Sequence, residues 1–344
     1  MPEELIFWSQ GIYYAPLRTI DHVTAPVSAS AWRSEQLVKQ IKLRVPASTS
    51  NIGPGFDTLG LALTLYNYVE MEEIRSGVIV QYEGEGAEGL ARTPPEETLP
   101  YRAARETFQF LEYTPSGIRL SLKNNIPLGR GLGSSGVVCV GSVAGALLLA
   151  GCDLDLQLIL KIALRFEKHP DNITPSLMGG FTVSSIVQDE VCFVKFPVTV
   201  PLEVVVVTPQ LQLPTDQARK VLASHVSFED AQFNLNRTAL LVAAFATGNT
   251  AVLMEGVKDR LHQSARAALL PGLHEVFEEG YRTGALACFL SGAGSSIVAL
   301  AQDNVNLIGQ RMSEVWHTNF NIPNEWLVLR VDNEGLVKEQ LVMT

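Results

Sequence analysis

The segment Pro127-Leu-Gly-Arg-Gly-Leu-Gly-Ser-Ser-Gly136 places closely spaced glycines and two serines directly before a long uncharged run. It follows an alternating stretch, residues 118–122, that predicts a β-strand, and the uncharged run after it predicts a buried helix ending near Gly151. Amides in the first turn of a helix have no internal partners, and the helix dipole adds partial positive charge there. The segment therefore predicts an anion site suited to a triphosphate.

Three other glycine motifs were compared with this segment. Gly131-x-Gly133-x-x-Gly136 matches the dinucleotide fingerprint formally, although the loop begins several residues after the strand. Walker A is excluded because Val137 stands where its lysine belongs, and the nucleophile elbow Gly-x-Ser-x-Gly is absent. Taken alone, the segment leaves open a nucleotide-binding oxidoreductase and a helix entry that uses its glycines only for packing.

Composition limits the class of protein. A chain of 344 residues with 47% apolar and 18% charged residues predicts two packed domains. The formal charge of −10 predicts no general attraction to nucleic acid or to an anionic membrane. Any phosphate site must therefore be local.

The cysteines and the start of the chain bear on the cellular compartment. Cys139, Cys152, Cys192 and Cys288 lie in apolar runs without metal-ligand spacing, which predicts buried thiols in a reducing compartment. The N-terminus lacks the basic residues of a signal peptide. The continuously apolar part of the run before Gly151 is too short to span a bilayer. We expect a cytoplasmic protein.

Periodicity divides the chain into three parts. Residues 1–38 have no clear period and read as an N-terminal extension without an assigned role. Residues 39–195 predict an N-terminal domain that contains the anion site, with strands at 39–45, 68–73 and 77–82, a loop at 46–56, an exposed loop at 83–97 and a helix at 155–168. Residues 196–344 predict a C-terminal domain, with helices that include 216–223 and 228–247. The fold class expected is α+β.

Five blocks of the sequence resemble a known family. Pro46–Asp57, the segment Pro127–Gly136 and Leu290–Ser296 are similar, in this order, to the three motifs of the GHMP kinases. Glu167-Lys-His-Pro-Asp-Asn172 resembles the signature of the homoserine kinases within that superfamily, as do stretches beginning at Thr215 and at Arg260. The resemblance implies a two-domain fold, a left-handed β-α-β N-terminal domain followed by a ferredoxin-like C-terminal domain.

The resemblance also implies an activity. Homoserine kinases use ATP and Mg²⁺ to phosphorylate the side-chain hydroxyl of L-homoserine to O-phospho-L-homoserine, in threonine biosynthesis. The chemistry of the residues agrees, because homoserine presents a carboxylate, an ammonium and a hydroxyl, and the chain has a partner for each. Another GHMP activity or a catalytically silent relative is the alternative, and the oligomeric state is left open between a monomer and a homodimer.

The resemblance assigns roles residue by residue. Arg219 and Arg266 would bind the carboxylate through planar guanidinium forks. Asp57 with Asn51 would bind the ammonium, and Asn172 with His169 would hold the hydroxyl end. The remaining expectations are Thr215 as a further substrate contact, Ser135 and Glu167 as Mg²⁺ ligands with catalytic roles beside Asn172, and a nucleotide loop of Pro127, Gly129, Arg130, Gly131, Leu132, Gly133, Ser134, Ser135 and Gly136.

Some positions depart from the family pattern. Asn172 stands where many GHMP kinases have an aspartate, and phosphoryl transfer requires little early deprotonation, so we expect no strong side-chain base. Asp171 is the residual candidate, although its neighbours suggest that it orients the turn. Lys168 replaces a glycine and is expected to point to solvent. Residues 98–101 differ from the family's nucleoside-contacting segment, which leaves the adenine contacts unassigned.

Overall fold

The computed structural model describes residues 13–14 and 38–343. Most of the predicted extension, residues 1–38, lies outside the described residues. The elements of the first half are β1 (Tyr13–Tyr14), β2 (Val38–Ser50), β3 (Leu59–Glu73), β4 (Gly77–Gly84), α1 (Ala87–Leu90), α2 (Leu99–Phe110), β5 (Gly117–Asn124), α3 (Ser134–Leu149), α4 (Leu156–Ala163), α5 (Pro170–Met178), β6 (Phe181–Val187) and β7 (Glu190–Phe196).

The second half alternates strands with longer helices. Its elements are β8 (Glu203–Pro209), α6 (Thr215–Lys220), α7 (Phe228–Thr247), α8 (Leu253–Gly256), α9 (Gln263–Ala267), α10 (Leu273–Thr283), β9 (Ala287–Leu290), β10 (Ile297–Ala301), α11 (Val305–Phe320), β11 (Asn324–Arg330) and β12 (Val337–Met343). Short 3₁₀ turns cover Pro95–Glu97 and Thr250–Val252.

Two sheets organise these elements. The larger sheet has the order β1-β7-β6-β3-β2-β12, with β5 paired to β3 and β4 paired in parallel to β5. The smaller sheet has the antiparallel order β11-β8-β10-β9, and its strands occur in the chain as strand, helices, strand, strand, helix, strand. That order is the ferredoxin-like arrangement expected for the second domain.

Helix α3 lies at the centre of the first domain. Every residue of it except Ser135 is buried, and a helix that is apolar all round belongs in a core. Small residues bring it close to the sheet, since a Cβ at Gly141 would lie 2.7 Å from Val69 Cγ2. Burial of each valine or leucine contributes about 1.5–3 kcal/mol. The expectation of a core helix is confirmed, and within the described ranges no helix is both long and apolar enough to cross a membrane.

Strand β8 joins the cores of the two domains. Val204 and Val206 pack into the larger core, whereas Val205 and Val207 pack against the core formed with α10 and α11. Successive strand residues point to opposite faces, so a continuous valine run is the pattern of a strand covered on both sides. The smaller sheet is therefore fixed against the first domain.

Several expected bounds differ from those observed. Strand β2 continues to Ser50, so the loop predicted from residue 46 begins only at Asn51, because residues 47–50 pair with 60–63 of β3. The second predicted helix ends at Ala163 and not at 168. The region 83–97 contains α1 and a 3₁₀ turn. Strand β12 returns to the larger sheet beside β2, and the predicted domain limits stay a prediction.

Candidate active site

A cleft of about 610 Å³ lies where the two domains meet. One wall is the loop between β5 and α3, which we call the phosphate loop (residues 125–133), and its rim includes the link between α4 and α5. The opposite wall consists of the loop after β2, helices α6 and α9, and the turn between β9 and β10. Residues remote in sequence therefore share one cavity.

The phosphate loop has the conformation that an anion site needs. Gly129, Gly131 and Gly133 have φ values of 65, 81 and 72°, which only glycine adopts without strain. Gly133 precedes α3, so the free amides of its first turn face the cleft side of the helix. The Ser134 Oγ is buried without a hydrogen-bond partner among the described residues, and Ser135 is exposed. These features fit a triphosphate.

The turn after β9 is hydrogen bonded to the phosphate loop. The Ser291 Oγ lies 2.6 Å from the Gly131 carbonyl oxygen and 2.8 Å from the Thr49 Oγ1. The Ser296 amide donates to the Arg130 carbonyl at 3.0 Å, and the Arg130 guanidinium donates to the Pro209 carbonyl of β8 at 2.6 Å. Both domains thus hold the loop in place.

Another part of the cleft contains a set of side chains that we call the charged group: Asp57, Arg219 and His169. The Arg219 Nη2 lies 2.6 Å from the Asp57 Oδ1, and the His169 Nδ1 lies 3.3 Å from the Asp57 Oδ2. The Asp57 backbone amide donates to the Asn51 side chain at 2.9 Å. Burial lowers the pKa of His169, the Asp57 charge raising it in part, so the imidazole is neutral near neutral pH. His169 thus faces Asp57, whereas the sequence placed it with Asn172.

Arg266 is the buried cation of this region. Its side chain is enclosed, and it donates to the carbonyl oxygens of Ala218 and Gly292 at 3.2 and 2.9 Å. The ring of Phe56 lies 5.4 Å from the Arg266 guanidinium carbon and 5.1 Å from that of Arg219. Burial, with the nearby Arg219 charge, lowers the pKa of Arg266 to about 10, so the group stays charged near neutral pH.

His262 positions Arg266 and was not identified from the sequence. Its Nδ1 lies 3.1 Å from the Arg266 Nη1 and its Nε2 lies 2.7 Å from the Gly53 carbonyl oxygen. The Nε2 must therefore carry the proton while Nδ1 accepts from the arginine. Burial lowers the pKa of His262. The four-residue spacing of His262 and Arg266 is the signal that indicates one helix face.

The expected metal ligands meet beside the phosphate loop. Glu167 is hydrogen bonded to Ser135, and burial raises the pKa of Glu167 although that bond lowers it. A bound cation would favour the ionised form of such a carboxylate. Lys168 is exposed, as expected, and does not line the cleft. One hydroxyl and one carboxylate suit Mg²⁺, which keeps several waters.

Asn172 lies in the first turn of α5, next to strand β2. The Ser48 Oγ is 3.2 Å from the Asn172 Oδ1, and the Asn172 Nδ2 donates to the Ser50 Oγ at 3.1 Å. The preceding residue, Asp171, is buried, and its carboxyl is hydrogen bonded to Ser50. Burial, reinforced by the Asp57 charge, raises the pKa of Asp171 to about 7.

Comparison with known proteins identifies the family. The family models "GHMP kinases N terminal domain" and "GHMP kinases C terminal" match residues 98–180 and 241–318. A homoserine kinase from Aquifex aeolicus is 40% identical over 86% of this chain and 98% of its own length. One from Caldicellulosiruptor bescii is 37% identical over 86% of this chain and 95% of its own. The chain belongs to the homoserine kinase family.

Solved structures agree with this membership. A homoserine kinase from Cytophaga hutchinsonii superposes with a TM-score of 0.79 at 28% identity, covering 90% of this chain and 99% of that one. A mevalonate kinase at 14% identity, with a TM-score of 0.62, shares the fold alone. The expected GHMP kinase fold is confirmed. An oxidoreductase of the doubly wound class would need a parallel sheet, whereas most pairs of the larger sheet are antiparallel.

The cleft contains nearly every residue that the sequence nominated. All of them line it except Gly136, which lies in the third position of α3, where a Cβ would meet the side chain of Ile173 at 3.3 Å. Gly136 thus lies where α3 packs against α5, and its expected role in nucleotide binding stays a prediction. Thr215 opens α6 at the rim of the cleft.

One arm of the cleft was missed by sequence reasoning. It extends from the phosphate loop towards β4 and the start of α2, and is lined by Tyr82, Leu90, Thr93, Thr98, Leu99, Pro100, Arg102, Asn124, Leu128 and Val138. The region 83–97 contributes Leu90 and Thr93, although its glycines, prolines and glutamates predicted an exposed loop. The departure at residues 98–101 was the available signal for this arm.

Gly131→Ala tests the contact between the phosphate loop and the turn after β9. A Cβ at Gly131 would lie 2.0 Å from the Ser291 carbonyl oxygen, whereas nothing lies within 4 Å of a Cβ at Gly129, and both residues have positive φ. Thermal unfolding with and without ATP and Mg²⁺ should show that Gly131→Ala loses the ATP-dependent rise in Tm. Gly129→Ala carries the strain without the clash and should keep most of that rise. Equal behaviour of the two variants would contradict this account.

Proposed function

We propose that this protein transfers the γ-phosphoryl group of ATP to the side-chain hydroxyl of L-homoserine, forming O-phospho-L-homoserine for threonine biosynthesis. The observation that carries the proposal is the Asp57–Arg219 pair in the same cleft as the phosphate loop. An α-amino acid has an ammonium and a carboxylate on one carbon, so it complements both members of such a pair. Mevalonate and sugars lack the ammonium. Membership of the homoserine kinase family supports the same substrate.

The amino-acid end of the substrate is bound by the charged group. Asp57, oriented through its backbone amide by Asn51 and flanked by His169, binds the ammonium. Arg219 binds the carboxylate, and Arg266 contributes its charge from the buried side, fixed by His262 and by the Gly292 carbonyl. Guanidinium groups are suited to carboxylates because their planar fork donates two parallel hydrogen bonds.

The phosphate end is bound by main chain and by two side chains. The amides at the start of α3 and the glycines of the phosphate loop bind the triphosphate. Ser135 and Glu167 would hold Mg²⁺, which would supply positive charge to offset the charge that develops on the phosphates. The apolar residues of the second arm, among them Leu90, Leu128 and Val138, bind the nucleoside. Each component of ATP therefore has a distinct set of partners.

The acceptor hydroxyl is placed by Asn172. This amide lies between strand β2 and the phosphate loop, where a Cβ at Gly133 would be 3.2 Å from its Oδ1. No strong base is required, because a loose phosphoryl-transfer transition state depends mainly on positioning and on charge stabilisation. The chain operates on a small molecule in the cytoplasm, which fits the burial of Cys139, Cys152 and Cys288, whereas Cys192 is only half-buried.

A coupled ADP-release assay tests the function. L-Homoserine should be phosphorylated, whereas 4-hydroxybutyrate, which lacks the ammonium, and 3-aminopropan-1-ol, which lacks the carboxylate, should each lose at least about 100-fold in kcat/KM, because each loses a charged hydrogen bond to the half-buried Asp57–Arg219 pair and the positioning that it provides. Mevalonate and galactose should be inert. Phosphorylation of mevalonate or a sugar without homoserine would refute the proposal.

Arg219→Ala and Arg266→Ala test the carboxylate site. Each should raise the KM for homoserine about 10- to 100-fold, as expected for loss of a charged hydrogen bond, with a smaller effect on the KM for ATP. Arg260→Ala is the matched control, since Arg260 is partly exposed and does not line the cleft. Steady-state kinetics in homoserine with unfolding curves for each variant provide the measurement. An unchanged KM in both folded arginine variants would mean that the carboxylate binds elsewhere.

Glu167→Gln tests the metal site. It should lower kcat at least about 100-fold at low Mg²⁺, since a metal ion contributes several kcal/mol to such a transition state, and higher Mg²⁺ should recover part of the rate. Lys168→Ala, the exposed neighbour, should change kcat and its Mg²⁺ dependence by less than about twofold, since an exposed surface charge contributes little. Titration of Mg²⁺ at saturating ATP and homoserine distinguishes the two. Full activity of Glu167→Gln at low Mg²⁺ would exclude Glu167 as a ligand.

A further inference from the structure

Asp171 is a buried carboxyl that the proposed function does not use. Only 2% of the residue is exposed, and its Oδ1 has no hydrogen-bond partner among the described residues. Two charges act on Asp171: Asp57 opposes its ionisation and Arg219 favours it. The Asp171 charge in turn raises the pKa of Arg266. Burial of a carboxylate without an ion pair costs stability, and such a cost within a cleft points to a functional role.

The hydrogen bond from Ser50 decides how this carboxyl acts. The Ser50 hydroxyl has one proton, and when Asp171 is ionised the carboxylate can only accept that proton. Ser50 must then use a lone pair towards the Asn172 side chain, 3.1 Å away, which requires that side chain to present its NH₂. The carboxylate therefore determines which end of the Asn172 amide faces Ser50.

A second serine completes the same orientation. Ser48 is two residues before Ser50 on strand β2, so both side chains lie on one face of the strand. The Ser48 Oγ donates towards the Asn172 Oδ1 at 3.2 Å and towards the Asn172 carbonyl oxygen at 3.1 Å. The amide oxygen keeps a further lone pair on the side of Gly133.

The direction of this amide matters for an alcohol acceptor. An amide oxygen accepts the hydroxyl proton in a hydrogen bond, which leaves the alcohol oxygen's own lone pairs available for the phosphorus. A reversed amide would donate an N–H to the alcohol oxygen and occupy one of those lone pairs. Only the first orientation assists nucleophilic attack.

We propose that Asp171 is a positioning residue. Its carboxylate accepts a hydrogen bond from the Ser50 hydroxyl and so holds the Asn172 amide with its oxygen towards the acceptor hydroxyl. This rests on the proposed role of Asn172 at that hydroxyl. The carboxyl stays at the cleft floor and does not touch the substrate. When Asp171 is protonated, its O–H can donate a hydrogen bond to Ser50, and the Ser50 hydroxyl can then donate to Asn172. The orientation of the Asn172 amide is then no longer unique.

The pH dependence follows from the sign of the shift. The pKa of Asp171 is raised to about 7, so the ionised form is present above that pH and is lost as the pH falls through it. The kcat should therefore fall below about pH 7, where an ordinary carboxyl would still be ionised. His169 and Asp57 also lie close by, so the assignment of this fall to Asp171 needs the variant.

The experiment compares Asp171→Asn, Asp171→Ala and Ser50→Ala across about pH 5.5 to 9. In Asp171→Asn the neutral amide can accept from Ser50 or donate to it, as the protonated acid can, so kcat at high pH should drop towards the value that the parent has at low pH, and the fall below pH 7 should disappear. Asp171→Ala and Ser50→Ala should each lower kcat about tenfold with little change in the KM for homoserine, and the double variant should be no worse than either, because both remove one interaction.

Three results would overturn the proposal. The first is a kcat that still falls below pH 7 in Asp171→Asn. The second is a change in the KM for homoserine without a change in kcat in Asp171→Ala and Ser50→Ala. The third is a loss of kcat in the double variant that equals the two single losses combined. Thermal unfolding supplies a readout without substrate, since Asp171→Asn should raise Tm more at pH 8.5 than at pH 5.5, and a pH-independent change would also count against it. If the chain phosphorylates another alcohol, the proposed function fails, and the same pH comparison with that alcohol still tests Asp171.

Discussion

The contact between Gly131 and Ser291 is the constraint on which the active site depends. It joins the phosphate loop of the first domain to the turn between β9 and β10 of the second, with the Ser291 hydroxyl 2.6 Å from the Gly131 carbonyl. No side chain fits at Gly131, because a Cβ would overlap the Ser291 backbone. Since the loop also bonds to β2 through the Ser48 amide, a shift of one domain would distort the triphosphate site.

The two cores hold this contact rigid. Helix α3 is buried along its length, and strand β8 contributes alternate valines to each core, so the smaller sheet cannot slide on the larger without uncovering apolar surface. The helix end that we propose to bind phosphate and the turn that covers it are therefore supported by the most buried elements. Preorganisation of this kind is what phosphoryl transfer requires.

The charged group contrasts with the negative charge of the chain as a whole. Arg219 and Arg266 stack near the ring of Phe56, and their mutual repulsion is offset by Asp57, which accepts from Arg219. His262, held neutral by burial, lets Arg266 donate to it. The arrangement concentrates both signs of charge within a few ångströms, as a zwitterionic substrate needs.

Local patterns predicted much of the fold. Helix α7 was expected at its observed bounds, because its alanines and leucines form helix and Ser227 and Gly248 stand at its ends. Helix α11 was not predicted, although Ile308, Met312 and Trp316 recur at helical spacing and are buried. The sequence predicted that strand β2 ends before Pro46, whereas it continues to Ser50. The pairing with β3 that extends it is a long-range contact, which residues 46–50 do not reveal.

The sequence by itself determined the family, the phosphate loop and many of the polar residues that line the cleft, because each motif needs particular residues at fixed local spacing. Only the tertiary structure decided which of them meet. It placed His169 against Asp57, packed Gly136 against Ile173, brought Ser50 to Asp171, and built the second arm from residues 82–102. Packing of distant segments sets these contacts, and no local pattern encodes them.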